Sequence, residues 1–298
     1  MTLVIGATGL LGMEVCRRLK ATAHPVRALV RRTSDAAKRA ELQTLGAELI
    51  EGDLKDPASL RRACTGVQSV ISTASSTLSR QEGDSIQTVD LQGQIALVDA
   101  ARAAGVQHFV FVSFRDNAAI QYPLTEAKRT VEGHVKASGM AYTILQASYF
   151  MEVWLTPMLG FDYAAGKVRL YGDGNRKVSW VSYKDVARIA VAALDQPAAR
   201  NAVLNVGGPQ ALSPREVVRM FEAAGAAEIA AEYVAEADLR AQLNSATDPL
   251  QKSFAGLMLQ YASGDEMDMT DTLKLFPMQL TPLRDYVAAQ LGAVAGPA

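Results

Sequence analysis

The sequence predicts an α/β fold: a doubly wound parallel sheet of Rossmann type followed by a smaller C-terminal lobe. Three observations predict it. Apolar runs rich in β-branched residues alternate with helical patterns, the signature of repeated βαβ units. The first of these runs enters a helix through three glycines. Beyond about Gln146 the alternation weakens and helical patterns dominate.

In chain order, strands are expected over Leu3–Ile5, Val26–Val30, Ala47–Glu51, Ser69–Thr73, His108–Ser113 and Tyr142–Leu145. Helices are expected between them, near Leu11–Lys20, Ala36–Leu45, Pro57–Ala63, Ile86–Ala104 and Glu126–Ala137. Asp56 before Pro57 reads as an N-cap with proline at the first helical position, and Gly105 and Gly139 stand where helices end in a left-handed residue. Right-handed crossovers between such strands place ligands beyond their carboxyl ends, so function is expected in the loops that follow the strands.

Further along, Val168–Tyr171 and Val178–Val181 read as short strands, Asp185–Leu194 as a helix and Ala202–Val206 as a strand. Ser213, Pro214 and Glu216 form a capping box before another helix. Segments near Ala235–Gln242, Asp248–Tyr261 and Pro282–Leu291 read as a helical lobe. The expected division is a nucleotide-binding domain over 1–150, to which a later strand and helix around 178–207 return, and a mainly helical substrate lobe over 151–298.

Composition narrows the function classes. Of 298 residues, 49% are hydrophobic, enough for a large core, and the formal net charge of −1 gives no field for nucleic acid or an anionic membrane. Met1 runs straight into a strand without a leader pattern, and apolar stretches such as Ile189–Leu194 fall far short of the roughly 20 residues that span a bilayer. A cytoplasmic protein without a membrane span is expected. Cys16 and Cys64 sit inside helical patterns and read as packing residues, while His24, His108 and His134 lack the paired spacing of a metal site. No metal is expected.

The run Gly6-Ala7-Thr8-Gly9-Leu10-Leu11-Gly12 carries the first chemical signal. Its first glycine makes the turn, its second lets a pyrophosphate approach the backbone, and its third lets helix and strand pack closely. The helix start adds N–H groups and a dipole that favour an anion. At the end of the second strand stand Arg31 and Arg32, where an NAD site usually places Asp or Glu; arginines there suit a 2′-phosphate and favour NADP(H), although Asp35 is near. Asp53, followed by Leu54, is a candidate for the adenine amino group or for a simple turn. The small residues Ala74 and Ser75 after the fourth strand allow close approach to the ribose and pyrophosphate, or serve turn chemistry alone.

These residues, with Leu29-Val30-Arg31, Glu51-Gly52-Asp53-Leu54, Phe109-Val110-Phe111-Val112-Ser113 and Val181 to Ala187, make the chain resemble the NmrA-like branch of the atypical short-chain dehydrogenase/reductases, close to isoflavone reductase-like and quinone oxidoreductase proteins. The resemblance covers about the first 210 residues. It implies a glycine turn on the pyrophosphate, an arginine on the 2′-phosphate and a C-terminal lobe over the substrate.

One departure concerns catalysis. The superfamily's proton-transfer group is Tyr-x-x-x-Lys, whose lysine binds the nicotinamide ribose and lowers the tyrosine pKa. Here Lys128 is preceded at that spacing by Leu124, while Tyr122 stands two residues earlier, before Pro123, in the loop ahead of the helix. Three readings are open: Lys128 is itself the acid/base, as the isoflavone reductase-like resemblance implies; Tyr122 or Ser113 substitutes; or there is no turnover. Lys128 can also be a ribose contact alone or an exposed helix lysine. After the sixth strand, Tyr149 and Phe150, with Met151 and Trp154, occupy the position that in related proteins packs against nicotinamide and substrate; core packing explains them equally.

The leading expectation is an NADP(H)-dependent oxidoreductase that delivers hydride to a small apolar carbonyl, enone or quinone. The alternative, implied by the NmrA resemblance, is a non-catalytic NADP(H) sensor that changes its contacts with a protein partner. A sugar-nucleotide epimerase or assembly factor is a third reading, and the missing tyrosine argues against epimerisation.

Overall fold

The computed structural model describes residues 1–78, 80–115 and 117–294. The expected alternation forms: β1 (Thr2–Ile5), α1 (Leu10–Ala21), β2 (Val26–Val30), α2 (Ala36–Thr44), β3 (Glu48–Glu51), α3 (Pro57–Cys64), β4 (Ser69–Ser72), α4 (Gln94–Ala103), β5 (His108–Phe114), α5 (Pro123–Ala137) and β6 (Ala141–Ala147). Later come α6 (Met151–Trp154), β7 (Phe161–Asp162), β8 (Lys167–Tyr171), α7 (Tyr183–Asp195), β9 (Ala202–Val206), α8 (Pro214–Ala223), β10 (Ala230–Val234), α9 (Glu236–Ser245), α10 (Pro249–Ala262), α11 (Thr270–Leu275) and α12 (Leu283–Val294).

A seven-stranded sheet runs β3-β2-β1-β4-β5-β6-β9. β1 pairs in parallel with both β2 and β4, Thr2 facing Val26 on one side and Ser69 on the other. The strand order therefore reverses at β1, which makes the carboxyl ends of β1 and β4 the switch point where such sheets open a ligand crevice. This is the doubly wound α/β architecture expected from the sequence.

Local chemistry explains the element boundaries. Asp56 caps α3 by accepting from the Ala58 N–H ahead of Pro57, and Ser213 and Glu216 exchange capping bonds at the start of α8. α5 begins at Pro123, one turn earlier than the apolar pattern suggests, because proline's missing N–H costs nothing in a first turn.

Three expectations need correction. The first eight residues of the expected helix Ile86–Ala104, Ile86–Gly93, wind as a π-helix, with Ser85 and Thr88 capping reciprocally. The wide turn accommodates two polar side chains on the inside: Asp90 meets Ser76, and Gln94 accepts from Ser72 Oγ and donates to the Ala74 carbonyl. Val178–Val181 is not a strand. Val178 bridges Leu212 and Asp265 whereas Val181 bridges Phe150, so the backbone changes partners around Trp180 before a ladder can form. The tail is not wholly helical either, since β10 pairs in parallel with β8 along its whole length, Ala230 with Lys167 through Val234 with Tyr171.

The chain divides into two compact units. The first comprises Met1–Phe114, Pro123–Gln146 and Val186–Leu204; the second comprises Arg115–Tyr122, Ala147–Asp185 and Asn205–Ala298. In the first, Leu3, Ile5, Val70, Phe109 and Phe111 of the sheet pack with Leu97, Val98, Val131 and Val135 of the helices. In the second, Trp154 stacks on Tyr261 at 4.9 Å and Trp180 meets the same ring edge-on. Cys16 and Cys64 are buried in the first unit, where burial pushes their thiols up to about 12 and about 11, as inert packing groups require. Among the described residues no helix is long and apolar enough to cross a membrane, and no His/Cys/Asp/Glu cluster could hold a metal ion.

Gly12 shows how tightly the first turn is built. A β-carbon there would lie 2.1 Å from the Gly6 oxygen and 2.6 Å from its carbon. Gly12→Ala is therefore expected to part α1 from the β1 turn, cost about 1–3 kcal/mol or more, and lower the Tm measured by calorimetry. An unchanged Tm would show that the turn can relax freely.

Candidate functional site

Within the first unit, the candidate residues gather at the carboxyl ends of β1 to β4. Gly6 has φ +80, and a β-carbon on it would meet Thr73 Oγ1 at 2.7 Å and the Ala74 nitrogen at 2.9 Å. Glycine is required there both for backbone conformation and for space. Gly9 differs: its φ of −81 suits any residue, and the one atom near its β-carbon position is the Gly6 oxygen at 3.2 Å. The space beside Gly9 is thus open. Gly9 is also the N-cap of α1, which has no side-chain cap and no acidic residue in its first turn. Thr8 is half-buried and Leu10 exposed at this opening, whereas Leu11 and Gly12 turn into the core. Among the described residues no side chain caps the first N–H groups of α1, an arrangement that suits an anion.

A cleft of about 630 Å³ lies at the ends of β2 and β3, lined in part by Arg31, Arg32, Lys55, Arg62, Asp53 and Gln81. Two of its cations, Arg31 and Lys55, are held in place. Arg31 donates through Nη1 to Asp84 Oδ2 at 2.6 Å, and Lys55 reaches the other Asp84 oxygen. The Gln81 N–H also donates to Asp84, at 2.9 Å, and Thr33 Oγ1 donates to Gln81 Oε1. Burial raises the Asp84 pKa, but Lys55, the Gln81 N–H and Arg31 outweigh it and hold the carboxyl below its ordinary value. Sequence reasoning missed Lys55 and Asp84; the position of Lys55 directly after Asp53-Leu54 was the available signal for the first, and none marked the second.

Asp53 lies in this cleft but is also a turn residue, its Oδ1 accepting from the Lys55 N–H at 2.8 Å. Leu54 is 7% exposed and packs over Gly93, so its role is in the core. Ala74 and Ser75 are half-buried at the end of β4; the Ala74 nitrogen lies against Gly6, and Ser75 Oγ is 3.2 Å from Thr77 Oγ1.

Lys128, on α5 of the same unit, is 4% exposed. That overturns the reading of an exposed helix lysine. Its Nζ lies 3.8 Å from Asp90 Oδ1 and 5.0 Å from the centre of the Phe111 ring. Burial lowers its pKa, and Asp90 acts against that shift. Leu124, at the position of the superfamily tyrosine, is also buried. Ser113 is buried at the end of β5 and accepts from Arg129 Nη2 at 3.0 Å.

The other candidates belong to the second unit. Tyr122 is fully buried just ahead of α5, its ring against Gly256 and its hydroxyl donating to Gln260 Oε1 at 2.8 Å. Tyr149 contacts Trp154 and Tyr261 edge-on at 4.5 and 5.3 Å, while Phe150 bridges Val181. The buried Tyr149 hydroxyl has no hydrogen-bond partner among the described residues, and burial pushes its pKa well up. Nearby in this unit, Asp265 accepts from Ser148 Oγ at 2.8 Å and from Arg115 Nη2 at 2.7 Å, a buried polar cluster that the sequence did not reveal.

Comparison with known proteins adds four findings. The family model described as "NmrA-like family" matches residues 1–287. The chain is 37% identical over 237 residues to an NAD(P)H azoreductase of Xenophilus azovorans, covering 79% of this chain and 77% of that protein. It is 34% identical over 310 aligned residues to an isoflavone reductase homolog of Zea mays, covering 96% of both. The fold is similar to that of an NADPH-dependent quinone oxidoreductase from Escherichia coli solved with NADPH, with a TM-score of 0.78 at 23% identity over 98% of this chain and 100% of that one.

Proposed function

This chain belongs to the NmrA-like family, and from that premise we propose that it is an NADP(H)-dependent reductase of a small apolar carbonyl, enone or quinone. The observation that carries this reading is the open space beside Gly9, at an uncapped helix start, on the same end of the sheet as the cationic cleft. A pyrophosphate fits the first and a 2′-phosphate the second.

In this reading Gly6, Thr8, Gly9, Leu10, Leu11 and Gly12 form the pyrophosphate turn. Arg31, Arg32 and Lys55 take the 2′-phosphate, Asp53 the adenine amino group, and Ala74 and Ser75 the ribose edge. Residues 1–150, with the strand and helix around 178–207, make the nucleotide domain, and 151–298 make the substrate lobe. NADPH, when bound, supplies the hydride. Lys128 binds the nicotinamide ribose and passes a proton to the reduced substrate, with Ser113 nearby on β5. Tyr149 and Phe150, with Trp154, give an apolar aromatic wall suited to a flat substrate. The relatives named as an NAD(P)H azoreductase and an isoflavone reductase homolog support a reductase in general.

The test is a screen of NADPH oxidation against quinones, enones and aldehydes. Turnover supports the reductase. Leu124 in place of the tyrosine favours one second reading, an NADP(H) sensor acting on a protein partner, and tight NADPH binding without turnover on any acceptor would select it.

Cofactor choice gives a separate prediction. A charge-assisted bond from Arg31 to a 2′-phosphate contributes about 1.5–3 kcal/mol, so NADPH is expected to bind at least about tenfold tighter than NADH. Arg31→Ala should remove most of that preference in a fluorescence titration. Equal affinities in the wild type would leave Arg31 as a partner of Asp84 alone.

A further inference from the structure

Asp90 is fully buried on the π-helical segment, against which α5 packs. Its two oxygens have different roles. Oδ2 accepts from both donors of Ser76, the backbone N–H at 3.0 Å and Oγ at 2.6 Å. Oδ1 accepts no hydrogen bond among the described residues and lies 3.8 Å from Lys128 Nζ. One oxygen is anchored and the other is left to the amine.

The surroundings of Lys128 in this unit make that oxygen important. The π-helix offers Asp90, β5 offers the Phe111 ring, and α5 itself offers Arg129 and Glu132. Glu132, engaged with Arg129 at 2.8 Å, also favours the ammonium but less than Asp90 does, and Arg129 opposes it. A carboxylate at ion-pair distance is what opposes the loss of the proton from a buried lysine. At 3.8 Å the two groups are held mainly by charge, which favours the ammonium form.

We propose that Asp90, fixed by Ser76, is the positioning residue that keeps Lys128 charged and aimed for its work. The role of Lys128 at the bound nucleotide rests on the reading given above; the coupling between Asp90 and Lys128 does not. The π turn has a purpose in this scheme, since it carries Asp90 inward beside Gln94, which is fixed by Ser72 in the same way.

Asp90→Asn tests it, because the amide oxygen can still accept both Ser76 bonds while the charge is removed. The Lys128 amine is followed by NMR of protein carrying labelled lysine, without cofactor, and its resonance is identified by its absence in Lys128→Met. The midpoint is expected to fall by at least about one pH unit in Asp90→Asn. Ser76→Ala, which keeps the charge but loosens its anchor, should give a smaller fall and serves if Asp90→Asn does not fold. An unchanged midpoint in a folded Asp90→Asn, or in Ser76→Ala where that is the variant that folds, overturns the proposal.

Turnover gives the second readout. Activity that depends on the ammonium is lost as pH rises through the Lys128 pKa, so the alkaline limb of the kcat profile should move to lower pH by the same amount. A midpoint that moves while the kcat limb stays still would uphold the coupling and reject proton transfer by Lys128.

Discussion

Gly9→Val is expected to abolish NADP(H) binding, a loss of at least about 10² in affinity, while the protein stays folded. The three glycines of the turn are not equivalent. At Gly6 and Gly12 a β-carbon collides with the protein's own backbone. At Gly9 the backbone is in the extended region that any residue adopts, and the β-carbon meets only the Gly6 oxygen, at 3.2 Å. The methyls of valine therefore enter the space over the start of α1, where a pyrophosphate oxygen must come within hydrogen-bond distance of the backbone N–H groups. Valine is a poorer N-cap than glycine, which costs the fold about 1 kcal/mol. Circular dichroism should show the fold retained, Tm should fall by about a few degrees, and titration with NADPH should give no saturable signal. Undiminished binding by a folded Gly9→Val would remove the dinucleotide assignment itself.

The difference between these glycines marks how far sequence can be read. The triplet spacing, the β2 boundaries Val26–Val30, the β9 boundaries Ala202–Val206 and the Ser213–Glu216 capping box were legible because each rests on neighbours within a few residues. Tyr122 was legible as a residue ahead of a helix because Pro123 follows it. What was not legible depends on distant partners. Asp90 sits in a run whose apolar period reads as an ordinary helix, and its anchor Ser76 and its counter-ion Lys128 come from other elements. Asp84 is drawn to Lys55 and Arg31 from a loop with no pattern of its own. Ala230–Val234 contains alanine and glutamate, which favour helix, but pairing with β8 overrides that preference. The family resemblance singled out Lys128, yet nothing local indicated that it would be buried, because the polar partner that makes burial tolerable lies on another segment.

Lys128→Met is expected to lower kcat by at least about 10² at saturating NADPH, with an aldehyde or enone as acceptor. General acid–base groups contribute roughly 10²–10⁴ to rate, whereas a ribose contact is a hydrogen bond to a charged group worth about 1.5–3 kcal/mol and acts on binding. Methionine fills the volume of the buried lysine stem, so the packing around Phe111 should persist. The substitution leaves Asp90 buried opposite an apolar side chain, which destabilises the fold. Lys128→Met combined with Asp90→Asn removes that penalty and keeps the kinetic comparison clean. A quinone should show a smaller drop, because its reduced form is a stabilised phenolate that water can protonate. kcat and NADPH affinity measured on the same variant separate the roles. A kcat near that of wild type with weaker binding would reject proton transfer and keep the ribose contact. A kcat and an affinity both unchanged, with only the Tm lowered, would make the Lys128–Asp90 pair a feature of folding alone.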